Sequence, residues 1–222
     1  MLLLQIGLGI MTEFQTVFLV DDDPGMRDSL TLILELAGHR VLSFPSPSDF
    51  LANFSPDARG CLVLDQRMPE MTGLELQTEL LERGALLPII FLSAFGDVPT
   101  TVRAIQAGAI DFLEKPASTE RLLQRIEDAF AEDRRRREEA ATEHDILKRL
   151  RQLTPREYEV LTLTTRGLTN KDIARQLGIS PRTVENHRAR MMEKMGAANL
   201  AELCRMSAIC QSSAARQTAN GA

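Results

Sequence analysis

Five short, largely apolar runs, each ending in charged, hydroxyl or small residues and each followed by a stretch of helical period, constrain this chain more than any other feature. Residues 16–20 (TVFLV) run into Asp21-Asp22-Asp23. Residues 40–44 (RVLSF) form the second run, and residues 61–64 (CLVL) the third, which stops at Asp65. Residues 88–92 (PIIFL) stop at Ser93-Ala94, and residues 109–113 (AIDFL) at Glu114-Lys115-Pro116. Runs of this length that are apolar on both faces fit strands covered on both sides. Helical signals lie between them. Asp23 can cap a helix that starts at Pro24, and Met26, Leu30, Ile33, Leu34 and Ala37 fall at helical spacing before Gly38 ends it. Residues 47–54, a segment after Gly73, residues 98–107 and a segment capped by Ser118 supply the other helices. Five strands alternating with five helices predict a doubly wound parallel sheet. Sites in such sheets form outside the carboxyl ends of the strands. This sequence places Asp21, Asp22, Asp65, Ser93 and Lys115 there.

The pattern then changes. Residues 132–151 are charge-rich, with Arg134 to Arg137 followed by Glu138-Glu139, and lack Gly and Pro. They predict a solvated helical linker that continues the preceding helix without a heptad seam. From Leu153 the punctuation is all-helical. Thr154, Pro155 and Glu157 form a capping box, and Gly167 closes that helix. Thr169 caps the next, which stops at Gly178. Ser180-Pro181 starts a third, which ends at Gly196, and a fourth spans residues 200–209. Helix, Gly turn and capped helix read as a helix-turn-helix. The expected organisation is a disordered leader at 1–14, an α/β domain at 15–131, a linker at 132–151, a four-helix domain at 152–210 and a disordered polar tail at 211–222.

Charge divides along the same line. Residues 1–131 carry 9 Lys+Arg against 19 Asp+Glu, and residues 132–222 carry 17 against 12. The basic half suits phosphates. The chain has no Trp and one Tyr, Tyr158, which argues against a single-strand binder built on aromatic platforms. Cys61, Cys204 and Cys210 have no metal-ligand spacing and fit a reducing cytoplasm. The apolar stretch from Met1 to Ile10 is too short to span a bilayer and has no cleavage site, so no membrane partner is expected and Met11 reads as the start of the domain.

The strand-end residues have a joint chemistry. Three carboxylates in one crevice repel one another, so the site carries raised pKa values or binds a cation. Carboxylate oxygens with room for water suit Mg2+. Lys115 can pair with a phosphoryl oxygen, and Ser93 offers a hydroxyl. Cation, Lys and hydroxyl around one carboxylate make a phosphoryl-transfer constellation with a carboxylate nucleophile.

Val20-Asp21-Asp22-Asp23, Leu64-Asp65-Gln66-Arg67-Met68-Pro69, Leu92-Ser93-Ala94 and Phe112-Leu113-Glu114-Lys115-Pro116 resemble the signature blocks of response-regulator receiver domains, over residues 15–131. The resemblance implies a flavodoxin-like fold and phosphorylation of Asp65 by a sensor histidine kinase. It implies Mg2+ held by Asp22, Asp65 and the backbone carbonyl of Arg67, with Asp21 acting through water. Ser93-Ala94 and Lys115 would contact the phosphate, and Ser93 with Phe112 would form a switch pair. Two positions depart from the family: Ala117 stands where Phe is usual, and Gln66 where an apolar residue is usual.

In the third helix of the second half, Arg182, Thr183, Glu185, Asn186, Arg188, Ala189 and Arg190 form the expected outward set, with Ser180 at its cap. Val184, His187, Met191 and Met195 point inward at helical spacing. Asn186 can read adenine and Glu185 can accept from cytosine, while Lys171, Arg188 and Lys194 suit phosphates. Residues 153–161, 167–174 and 179–188 resemble the LuxR-type output domain, and the whole chain resembles the FixJ-type branch of the NarL/FixJ response regulators, which residues 96–99 also support. This implies a homodimer on promoter DNA, activation of transcription and contact with RNA polymerase. The chain is then no turnover enzyme, although it can lose its phosphoryl group. A dehalogenase-type phosphatase would leave Asp65 unexplained, and a quorum-type ligand sensor would need an apolar pocket in place of the acidic strand ends.

Overall fold

The computed structural model describes residues 15–94 and 97–219, except for the side chains of 213–219. The expected leader at 1–14, Gly96 and the last three residues lie outside the described residues. The chain divides into two compact units between Arg137 and Glu138, inside the stretch expected to be a linker.

The N-terminal unit alternates strand and helix: β1 (Thr16–Val20), α1 (Pro24–Leu36), β2 (Arg40–Phe44), α2 (Pro47–Asn53), β3 (Gly60–Leu64), α3 (Gly73–Glu82), β4 (Ile89–Ser93), α4 (Val98–Gln106), β5 (Asp111–Glu114) and α5 (Thr119–Leu150), within which the two units divide. The sheet is parallel in the order β2-β1-β3-β4-β5. Alternation sorts its side chains to two faces. Val17, Leu19, Cys61, Val63, Ile90 and Leu92 pack with Leu30 and Leu34 of α1 and Leu122, Ile126 and Phe130 of α5. Phe18, Val20, Leu62, Leu64 and Phe91 pack with Phe50 of α2, Leu76 and Leu80 of α3 and Ala104 of α4. Every residue of β1, β3 and β4 is buried, which is why these runs read as continuously apolar. Truncating Leu62 or Leu64, both fully buried, costs about 2–5 kcal/mol.

Residues 132–137 correct one expectation. The Asp133 carboxylate is buried, with 1% of its surface exposed, and accepts from the Gly60 N–H at 3.1 Å and from Arg137 Nε at 2.8 Å. Arg137 also donates to the Ala58 carbonyl, and Arg136 to the carbonyls of Leu86 and Gly108. These charges anchor α5 to its own unit and are not a solvated tether. An unpaired Asp at this depth would be costly, and Arg137 with the Gly60 amide offsets the burial.

The C-terminal unit contains the end of α5, α6 (Pro155–Thr165), α7 (Asn170–Leu177), α8 (Pro181–Met195) and α9 (Leu200–Ala219). Val160, Leu163, Ile173, Ala174 and Val184 join α6, α7 and α8. Ile146, Leu161, Met191, Met195 and Leu203 join α5, α6, α8 and α9. Helix α9 extends past the expected end at residue 209, so residues 211–219 are helical where a disordered tail was expected. Ala and Gln favour helix, and no Gly or Pro interrupts the segment before Gly221. Among the described residues no helix is long and apolar enough to cross a membrane.

Candidate functional site

Sheet register builds the acidic pocket. Val20 pairs with Leu64, and the Asp65 N–H donates to the Val20 carbonyl at 2.9 Å, so Asp21 and Asp65 leave adjacent strand ends side by side. One carboxylate oxygen from each of Asp21, Asp22 and Asp65 lies within 4.8 Å of the others. Asp21 and Asp65 are buried, and Asp22 is exposed. Burial pushes the Asp65 carboxyl above its ordinary pKa, Lys115 opposes the shift, and the charge of Asp21 adds to it. Lys115 Nζ lies 2.5 Å from Asp21 Oδ2 and 3.5 Å from Asp65 Oδ1, so in this structure it sits mainly on Asp21. Among the described residues, one ammonium against three carboxylates leaves negative charge in surplus, presented by oxygen ligands. That is the donor set of a hard divalent cation.

Asp23 has a separate task. Its Oδ1 accepts from the N–H groups of Gly25 and Met26 and caps α1, and its own N–H donates to Asp21 Oδ1 at 3.0 Å. Gly73 opens α3 against the backbone of Asp65. A Cβ there would lie 2.6 Å from the Asp65 carbonyl oxygen and 2.8 Å from the Phe91 ring. Thr72 and Glu75 close a capping box around this helix start. Neither this box nor Asp97, which caps α4 through the Thr100 N–H at 2.7 Å, was expected from the sequence. The S/T-x-x-E spacing of the first was its available signal.

Ser93 is buried at the end of β4, and its carbonyl accepts from the Lys115 N–H at 2.9 Å. Ala94 and Arg67 are exposed at the same edge of the sheet. Phe112 is half-buried and stacks on Phe91, with ring centroids 5.5 Å apart. Gln66 is buried, and its side-chain carbonyl has no hydrogen-bond partner among the described residues.

In the C-terminal unit Gly178, at φ 67°, ends α7, and Ser180 caps α8 by accepting from the Thr183 N–H. Lys171, Ser180, Arg182, Glu185, Asn186, Ala189 and Arg190 are exposed. Thr183 is half-buried, with its hydroxyl 2.8 Å from that of Ser180. Arg188 is half-buried and donates to Asn170 Oδ1 at 3.0 Å. Val184, Met191 and Met195 are buried and His187 is half-buried, the inward set read from the spacing. Lys194, expected as a phosphate contact, is half-buried and paired within the unit. Its Nζ lies 2.6 Å from Glu157 Oε2, the buried carboxylate that also closes the α6 capping box.

Both units match known families. Residues 17–127 match the response regulator receiver domain, and residues 151–207 match the bacterial regulatory proteins of the luxR family. The chain is 43% identical over 204 residues to nodulation protein W of Bradyrhizobium diazoefficiens, covering 90% of each chain. It is 42% identical over 196 residues to the transcriptional regulatory protein FixJ of Azorhizobium caulinodans, covering 88% of this chain and 93% of that one. A solved structure of the response regulator StyR superposes with a TM-score of 0.73 at 44% identity, covering 87% of this chain and 98% of that one. A parallel five-stranded sheet with an acidic strand-end pocket, a capped helix-turn-helix and these matches over most of the chain together show that it belongs to the FixJ/NarL-type response regulators, transcription regulators of two-component systems with a LuxR-type DNA-binding domain.

Proposed function

We propose that Asp65 accepts a phosphoryl group from the phosphohistidine of a sensor kinase, and that this change drives pairing of two copies on promoter DNA and activation of transcription through RNA polymerase. The observation that carries the reading is the convergence of Asp21, Asp22 and Asp65 within 4.8 Å beside the Lys115 ammonium. A carboxylate oxygen of Asp65 attacks phosphorus. The P–O bond forms as the P–N bond breaks, imidazole leaves, and an acyl phosphate remains. Asp22, Asp65 and the Arg67 carbonyl would hold Mg2+, with Asp21 acting through water, and the bound ion would neutralise charge on the transferring oxygens. Lys115 shifts from Asp21 towards a phosphoryl oxygen, and Ser93 and Ala94 offer further contacts. Movement of Ser93 towards the phosphate frees space for the Phe112 ring and alters the α4–β5–α5 surface.

On DNA, Arg182, Glu185, Asn186 and Arg190 of α8 face base edges, while Lys171 and Arg188 neutralise phosphates, with Ser180 and Thr183 at the helix start. Lys194 is left out of this set because it is engaged by Glu157.

The test is DNA binding and oligomeric state of wild type and Asp65→Asn, each with and without beryllofluoride and Mg2+. The expected result is a dimer with raised DNA affinity only in beryllofluoride-treated wild type. Identical behaviour of all four samples would overturn the switch.

A further inference from the structure

Helix α8 ends at Met195, and Gly196 follows at φ 65°. A helix end leaves its last carbonyls without partners inside the helix. The Gly196 N–H reaches the carbonyls of Met192 and Glu193, and the Ala197 N–H reaches Met192. The Met195 carbonyl is met from α5: Arg149 Nη1 donates to it at 3.0 Å. Asp145, one turn earlier on α5, holds the other guanidinium nitrogen at 2.8 Å. A Cβ at Gly196 would lie 2.2 Å from Arg149 Nη1, so the guanidinium would have to shift to admit one. A cation at this end also meets the negative pole of the helix. Beneath the joint, Ile146 of α5 shares a buried cluster with Met191 and Met195.

We propose that Arg149 is a positioning residue for DNA reading: by holding the Met195 carbonyl it fixes the seat of α8, so sequence discrimination by the exposed face of α8 depends on a side chain of α5 that touches neither base nor phosphate. The inference rests on the reading of α8 as the base-reading helix. It makes the last turns of α5 part of the reader, so that displacing them displaces the support of α8. The competing role for Arg149 is a phosphate contact, and salt separates the two. Losing a phosphate contact weakens all DNA alike and flattens the salt dependence, by about 0.9 in log–log slope.

The experiment uses the full chain with Mg2+ and beryllofluoride. The probes are a duplex enriched by wild type from a random-sequence library and poly(dI-dC). Arg149→Ala is expected to lower affinity for the enriched duplex about five- to tenfold, with poly(dI-dC) affinity and salt slope unchanged. Arg149→Lys restores most of the loss. Gly196→Ala adds backbone strain of its own at φ 65°, so it is used only in combination with Arg149→Ala, where the double variant costs less than the sum of the two. Far-UV circular dichroism checks the fold; should Arg149→Ala unfold, Arg149→Gln compared with Arg149→Lys decides. Unchanged discrimination, or a parallel loss on both DNAs with a flatter slope, overturns the proposal. Asn186→Ala is the control for the underlying reading: discrimination lost there but kept in Arg149→Ala sinks this inference alone. Discrimination unaffected in Asn186→Ala, or no enriched duplex at all, sinks both.

Discussion

The acidic pocket of the receiver unit and the buried Glu157 of the DNA-binding unit treat carboxylates in opposite ways. At the pocket, Asp21 and Asp65 share the Lys115 ammonium with Asp22 crowded beside them, and burial raises the Asp65 pKa. At Glu157, one carboxylate accepts from Lys194 Nζ at 2.6 Å and from the Thr154 N–H at 2.8 Å. These donors, Lys194 foremost, hold the Glu157 carboxyl down at about 2. The groups are alike, but Glu157 has a cation to itself, whereas Asp21 and Asp65 pair with the same one. A balanced buried charge holds structure together. A surplus waits for something positive or reactive to arrive. Asp133 shows that the distinction follows role and not domain, because within the receiver unit it is matched by Arg137 and the Gly60 amide.

The largest expected effect breaks a balanced site. Asp133→Ala should destabilise the receiver unit by about 3–5 kcal/mol. Cys61, fully buried and the one cysteine of that unit, reports its opening through alkylation in urea. Tyr158, the one tyrosine of the chain, reports the DNA-binding unit through fluorescence. A shift of both transitions by the same amount would refute the assignment of Asp133 to one unit. Next comes Glu157→Gln, which should cost about 2 kcal/mol at neutral pH by weakening a charge-assisted bond in a buried setting. The sign of its pH dependence follows from the depressed pKa. Stability from Glu157 is fully present above the ordinary value of 4.5 and is lost as pH falls towards about 2. The Tyr158 transition of wild type should weaken through that window, and that of Glu157→Gln should weaken less.

Asp65→Asn should move the other way. Removing one of three crowded carboxylates stabilises the receiver unit by up to about 1 kcal/mol without divalent cation, measured as the urea midpoint of Cys61 alkylation. Mg2+ should then stabilise wild type more than the variant, so a larger gain in Asp65→Asn would count against the surplus reading. The smallest effect tests burial itself. Arg156 and Glu159 approach to 2.7 Å, nearly the Lys194–Glu157 distance, but both are exposed to solvent. Arg156→Ala should change stability by no more than about 0.5 kcal/mol. A shift as large as that of Glu157→Gln would mean that distance, and not burial, sets the value of these pairs.

What was legible in the sequence was local. The continuous apolar runs marked β1, β3 and β4, and their ends marked Asp21, Asp65 and Ser93, with Lys115 at the end of β5. Asp23, Thr154, Thr169 and Ser180 announced helix starts because a cap and its amide lie within three residues. What was hidden was tertiary. Asp133 meets an amide 73 residues earlier, Lys194 a carboxylate 37 residues earlier, and Arg149 a carbonyl 46 residues later. Composition made Asp133 and Arg137 look solvated, since nothing in their neighbours in sequence tells what will cover them. The polarity of residues 211–219 suggested disorder, where the lack of a helix breaker was the better guide.

The register of β1 and β3 has a consequence for insertions and deletions. The two strands match over five pairs, from Thr16–Gly60 to Val20–Leu64, with Asp65 the next residue. A residue added to the exposed turn at 55–57 leaves that count intact. One deleted inside Gly60–Leu64 sends alternate side chains to the opposite faces of the sheet and carries Asp65 away from Asp21. Loop length in such a chain is free to drift over descent, whereas the interval from Gly60 to Asp65 is not, and that interval is the first thing to count when asking whether a diverged relative retains the chemistry.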